Sequence, residues 1–262
     1  MSVLAARIEG IGFWAPGLPS WEDARAFAAG AAPRADAPGR PSPQLLPPNE
    51  RRRAPETVAV ALDVALAACQ AAGRDPAVLP SVFASTHGDL GITDYMCSTL
   101  ASAPGTISPI RFHNSVHNAA AGYWTIGAGA MAPATAISAF DATFAQGLIE
   151  ALAQLASGAD AVLLVGYDGA SAGPLAYVSR SERLLGAALV LARGDGPGPR
   201  LRAALMSPGV QPQSAPGPLA RHGHGNAMAP MLPLFDALAS GVPQAHLHAG
   251  PGRLLQVELD HG

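Results

Sequence analysis

Two uninterrupted apolar runs, Ala161–Gly166 (AVLLVG) and Gly186–Ala192 (GAALVLA), restrict the fold of this chain more than any other feature. A strand with one face in water alternates apolar and polar residues, whereas a run that is apolar throughout needs cover on both faces. Neighbouring segments can supply that cover. Glu56–Ala72 places Val58, Leu62, Leu66 and Cys69 on one helical face and meets a stop at Gly73. Asp141–Ser157 does the same with Phe144, Leu148, Leu152 and Leu155, ahead of Gly158. Covered strands alternating with such helices predict an α/β fold, a mixed sheet of about five strands layered between helices.

The remaining elements are read around this centre. Leu4–Trp14 and Ser81–Ser85 read as strands, and Ser20 opens a short helical stretch, WEDARAFAAG. Ala31–Pro55, rich in Pro, Ala and Arg, reads as an extended loop, with Arg51-Arg52-Arg53 as a solvated part of it. A helix is expected over Gly91–Ala101 and another over Asn118–Met131, the latter built largely of Ala and Gly. Thr135–Phe140 reads as a strand next to Ala161–Gly166, joined to it by the intervening helix in a right-handed crossover. Towards the end come a strand at Leu201–Met206, a loop over Pro208–Pro218, a proline-interrupted helix at Ala227–Ser240 and a strand at Leu254–Leu259. Residues 1–206 are expected to form the main unit, and 207–262 to complete the same domain.

Composition excludes several functions. Hydrophobic residues make up 49% and charged residues 13%, so the chain is not intrinsically disordered. The net charge is −3 and every basic residue is arginine, which leaves no basic stripe for nucleic acid. No stretch reads as a membrane span or a signal peptide, and the expected location is the cytoplasm.

Residue chemistry by itself points to no site. Cys69 and Cys97 lie within helical patterns and read as buried, unreactive thiols. His222-x-His224 and His246-x-His248 are placed in Pro/Gly-rich surface loops without an orienting carboxylate, so no metal is expected. The Gly122, Gly127, Gly129 pattern lacks a phosphate-loop lysine and sits in a helix, so no nucleotide or other cofactor is expected. Asp89, Asp94, Asp141 and Asp168 are scattered at turns.

One block is informative as a whole. It contains FASTHGDLGITDYMCSTLA, SP-x-x-F-x-x-SVHNAAAG from Ser108 to Gly122, and ATAISAFDATFAQGLIEALAQLASGADAVLLVGYD. Over roughly Leu4–Ala192 the chain resembles the N-terminal half of the β-ketoacyl synthases, condensing enzymes of the thiolase fold. More narrowly, it resembles their chain-length-factor partners in aryl polyene type pathways. The resemblance implies a thiolase-like layered fold, in essence one half of a ketosynthase.

It also implies where the chemistry should sit. A condensing enzyme carries a cysteine at the strand-to-helix turn within Thr135–Ala151. Anchoring on Gly147-Leu148 puts Phe144 at that place, or Thr143 one residue earlier, and neither can form the thioester in the same way. Gln146, the residue type found in decarboxylating relatives, is two positions late. The family's two histidines belong to a C-terminal half for which 207–262 is too short, and His222-Gly223-His224-Gly225-Asn226 is at most a degenerate remnant.

The expectation is therefore a non-catalytic, chain-length-factor-like subunit. It would pair with a complete β-ketoacyl synthase, or otherwise with itself, and meet acyl carrier protein through the complex. Family dimers form through the strand before the nucleophile and the helix before it, so interface and tunnel candidates are His113, Ser115, His117, Asn118, Tyr123, Trp124, Gly127, Met131 and Phe140. In particular, Gly127 is expected to permit close approach of the partner's backbone. Two alternatives stay open: an acyl-transferring or decarboxylating enzyme with a site relocated to His113, Ser115 or His117, and an acyl-carrier-binding scaffold.

Overall fold

The computed structural model describes residues 3–206 and 215–262. Along the chain run β1 (Leu4–Trp14), α1 (Trp21–Ala28), α2 (Pro48–Arg53), α3 (Glu56–Ala72), β2 (Ser81–Ala84), α4 (Leu90–Ser102), α5 (Pro109–His113) and α6 (Ala119–Ala128). They are followed by β3 (Ala134–Ile137), α7 (Thr143–Ala156), β4 (Ala161–Asp168), β5 (Leu185–Ala192) and β6 (Arg200–Leu205), then α8 (Pro218–His222), α9 (Leu232–Ser240), β7 (Gln244–Gly250) and β8 (Arg253–Asp260). The strands form one mixed sheet in the order β3-β2-β4-β5-β1-β6-β8-β7. β2 pairs in parallel with β3 and β4, and the other pairings are antiparallel.

The apolar runs do what their pattern requires. In β4, Val162 and Leu164 enter one core while Ala161, Leu163 and Val165 enter the other. In β5, Leu189 and Leu191 face the first core and Ala188 and Val190 the second. The first core is closed by α1, α7 and α9, the second by α3 and α6. Helix α3 lies unusually close to the sheet because β1 and β5 present glycine beneath it. A Cβ on Gly10 or Gly12 would run into the carbonyl oxygens of Ala68 and Val64, and one on Gly186 would come within 2.7 Å of Val60.

Several sequence expectations are corrected. The sheet has eight strands rather than about five. β6 and β8 match the strands expected at Leu201–Met206 and Leu254–Leu259, whereas β7 lies where no strand is expected; it is buried on one face only, and its mixed apolar and polar residues are a weaker signal than an unbroken run. Strands β3 and β4 share the sheet but are not neighbours: β2, four fully buried residues, lies between them and pairs with both. The strand expected to reach Phe140 ends at Ile137, and the small-residue helix ends at Ala128 because Gly129 turns left-handed (φ 62°). Arg51–Arg53 are helical, and His246-x-His248 belongs to β7 rather than to a loop. The loop expected over Pro208–Pro218 falls largely within 207–214, outside the described residues.

On α3, Asp63 is mostly buried, and burial pushes its carboxyl up to about 6. The folded chain therefore holds a proton there that the unfolded chain releases near pH 4. Its contribution to stability falls as pH rises from about 4 to about 6 and is flat above. Discounted for its partial contact with water, Asp63→Asn is expected to stabilise the fold by about 1–2 kcal/mol at pH 7 and by almost nothing at pH 4. Urea denaturation at the two pH values tests this, and an equal effect at both would refute it.

Candidate functional site

Strand β3 forms one edge of the sheet, and among the described residues its outer side has no strand partner. Its residues alternate in exposure, with Ala134 and Ala136 facing outward. Beside them runs an open groove of about 530 Å³, lined by these two alanines with His117, Asn118, Ala121, Gly122 and Thr125. Small residues on both walls let another backbone come close, and an open strand edge offers it hydrogen bonds. Met131 and Phe140, just outside the two ends of β3, are 95% and 59% exposed.

The strand-to-helix turn that follows β3 is tightly held. The Thr143 hydroxyl donates to the Phe140 carbonyl (2.6 Å) and accepts from the Ala139 N–H (2.9 Å). Phe140 has a φ of 52°, in the left-handed region that a bulky aromatic seldom enters. Thr143 and Phe144 open α7 as expected, but both turn inward and are buried. The Phe144 ring packs 6.0 Å from that of Phe235 and lies over Gly166, where a Cβ would meet it at 2.7 Å. Gln146 is tied to β7, donating to the Ala249 carbonyl at 2.9 Å.

The other candidates separate into different surroundings. His117 lines the groove and donates from Nε2 to the Ser85 carbonyl at 2.7 Å. Asn118 is exposed at the start of α6. The His113 ring lies 5.9 Å from that of Tyr123, edge to face, and the Ser115 hydroxyl donates to the Phe112 carbonyl at 2.8 Å. His113, Ser115 and His117 thus hold separate partners and are not assembled into a nucleophile–base pair. Trp124, an interface or tunnel candidate from the sequence, is fully buried in the chain's own core, with its ring 6.2 Å from Phe83. Gly127 faces its own chain: a Cβ there would meet Leu45 at 3.0 Å, which replaces the expected partner contact. Of the cysteines, Cys69 is buried with its thiol pushed up to about 12, whereas Cys97, expected to be buried, is exposed on α4.

Sequence reasoning missed the polar cluster at the carboxyl ends of β2 and β4, where parallel sheets commonly place their sites. Asp168, fully buried, accepts from the Ser85 hydroxyl (2.7 Å), the Thr86 N–H (2.9 Å) and the His87 N–H (3.3 Å). Burial pushes its carboxyl upward, while these hydrogen bonds pull the other way. Asn226 spans the carbonyls of Asp168, Glu182 and Arg183, fastening the C-terminal segment to the same cluster. His87 Nε2 lies 3.0 Å from the Ser179 hydroxyl. The available signal was an aspartate ending an apolar run, VLLVGYD, where a buried charge needs donors close by.

With this geometry in place, comparison with known proteins is direct. The model of the β-ketoacyl synthase N-terminal domain family matches residues 21–251. Among solved structures, a chain in the ketosynthase (ApeO) in complex with its chain length factor (ApeC) from Xenorhabdus doucetiae is 25% identical, with a TM-score of 0.73. That match covers 98% of this chain and 97% of the other. The ishigamide ketosynthase/chain length factor matches at 14% identity and the same TM-score, over 98% and 99%. A β-ketoacyl synthase from Burkholderia phymatum STM815 matches less fully: 15% identity, TM-score 0.58, covering 73% of this chain and 59% of that one. A comparison with curated proteins gave no match. The layered mixed sheet is thus thiolase-like, and among the described residues no helix is long and apolar enough to cross a membrane. Since the family match extends from the start of α1 through the whole of β7 and so spans most of the chain, the chain belongs to the β-ketoacyl synthase family, through its N-terminal domain.

Proposed function

We propose that this chain is a non-catalytic, chain-length-factor-like subunit that pairs with a complete β-ketoacyl synthase in fatty acid or polyketide synthesis of the aryl polyene type. The observation that carries this reading is the pattern of coverage. The chain corresponds almost end to end with a chain of a ketosynthase–chain length factor complex, but accounts for only 59% of a β-ketoacyl synthase. The turn after β3 supports it as well. Phenylalanine stands at positions 140 and 144, and the only hydroxyl in the helix's first residues, on Thr143, is already engaged on both sides. A phenyl ring has no lone pair with which to attack a thioester.

In this reading the partner binds along β3 and the groove beside it, covering the open strand edge and the apolar side chains at its ends. Acyl carrier protein meets the pair rather than this subunit alone. The test is to co-express the chain with a complete synthase from the same organism, isolate the complex and expose it to an acyl-carrier thioester. Co-purification is expected, with the acyl adduct found by intact mass on the synthase only. Ala136→Glu, which sets a charge in the groove, is expected to lower the association at least tenfold without unfolding the chain. A chain that ignores the synthase would refute the proposal. A stoichiometric adduct on this chain, at Cys97 or Ser115, would instead favour an enzyme with a relocated site.

A further inference from the structure

We infer that the cavity between α8, α9 and the start of β7 binds a free carboxylic acid with an apolar body, its carboxylate set against Arg221, His224 and His246. The inference goes beyond the pairing proposed above and does not depend on it. Strand order puts β7 and β3 at opposite edges of the sheet. The cavity measures about 600 Å³, within the range of small-molecule sites.

The walls are apolar and stay in place without a ligand. Pro218, Pro233, Ala237, Val242 and Ala245 form most of them, and the prolines bring a fixed φ and no N–H. Asp236 ties α8 to α9. Only 8% exposed, it accepts from the Leu219 N–H (2.8 Å) and the Ala220 N–H (2.9 Å). A Cβ on Gly217 would collide with that carboxylate, so glycine lets the chain cross directly over it. A wall fixed in this way need not be ordered by the ligand, which favours binding.

The same contacts decide the charge of the ligand. Asp236 is the only carboxylate among the lining residues, and its oxygens are committed to backbone N–H groups. The other ionisable groups around the cavity, Arg221, His224 and His246, are all basic. Arg221 donates to the Pro216 carbonyl, which leaves other N–H groups of its fork for a carboxylate. Neither imidazole is hydrogen-bonded within the described residues. Ser240 and Gln244, the remaining polar side chains, are neutral and exposed. An anion therefore suits the basic side, whereas the apolar walls would strip water from a sugar or an inorganic ion without replacing it. A carboxylate on a hydrocarbon body meets both demands.

Titration calorimetry of the full chain with octanoate, octanol and acetate tests this. Octanoate is expected to bind at one site with a Kd of about 300 µM, and octanol and acetate at least tenfold more weakly. Arg221→Ala is expected to weaken octanoate about tenfold, and His224→Ala, on the exposed rim, about threefold. Amide shifts at Ala220 and Ala245 in NMR spectra should follow the same titration. Absence of saturable binding would overturn the inference, and so would octanol binding as well as octanoate. Affinity unchanged by both substitutions would overturn it too. Shifts at Ala134 and Ala136 instead would put the acid in the groove beside β3 and refute the assigned site. No synthase is present in these measurements, so their failure leaves the proposed pairing untouched.

Discussion

Gly12→Val is expected to yield little or no soluble protein, and Gly12→Ala to lower stability by about 3 kcal/mol or more. A Cβ at this position runs into the backbone carbonyl of Val64, and Gly10, on the same strand, meets Ala68 in the same way. A flexible side chain could turn aside, but helix backbone cannot. The whole of α3 would have to lift from β1, opening the core formed by Val60, Val64 and Ala68 against the sheet. The corresponding fall in Tm for the alanine variant is about 6–12 °C. Gly105, where an added Cβ meets nothing within 4 Å, is the control and is expected to tolerate alanine within about 0.5 kcal/mol. A Tm unchanged by Gly12→Ala would show that α3 packs less closely than described.

Asp168→Ala is expected to cost about 3–5 kcal/mol. Its carboxylate is the acceptor for one hydroxyl and two backbone N–H groups, and alanine would leave all three without it. Asn226, which donates to the Asp168 carbonyl, would lose its rigid platform as well. Asp168→Asn keeps one oxygen but turns an NH₂ group on part of the donor set, so about half the loss is expected. Denaturant midpoints give the magnitude. Hydrogen exchange at the Thr86 and His87 amides localises the effect, since both should lose protection in the alanine variant before the sheet does. A loss below about 1 kcal/mol would mean that water replaces the carboxylate without difficulty.

The two residues differ in how far they could be read from the chain. The run Ala161–Gly166 is legible as a covered strand because every position in it is apolar, whereas Asp168, two residues on, reads as a turn residue and in fact ends β4. What the aspartate does was not visible. Its partners lie more than eighty residues earlier, in a turn after β2 whose Ser, Thr and His look like ordinary loop residues. Gly10 and Gly12 likewise lie in a segment, Leu4–Trp14, that reads simply as a strand. Only the position of α3 shows that they are the surface on which a helix rests.

The candidate site divides in the same manner. The block from His117 to Phe140 could be singled out by resemblance, because its motifs are contiguous in sequence. Which of its side chains face outward could not, since a small-residue helix with little amphipathic contrast has no evident inner face. Trp124 and Tyr123 are adjacent in sequence, yet only Trp124 is fully buried; Gly127 proved to be closed by Leu45, and Met131 and Phe140 remained outside.

The sequence by itself determined the α/β class, the strands β4 and β5, the helices α3 and α7, and the family. Each of these rests on a periodicity or motif within a few tens of residues, where local spacing dictates which face must be buried. Only the tertiary structure decided the strand order, the eight-stranded extent of the sheet, the Asp168 cluster and the left-handed turn at Phe140. Those depend on which distant segments meet, and on a backbone angle that neighbouring strands and a hydroxyl on the next helix impose. Local composition carries no record of either.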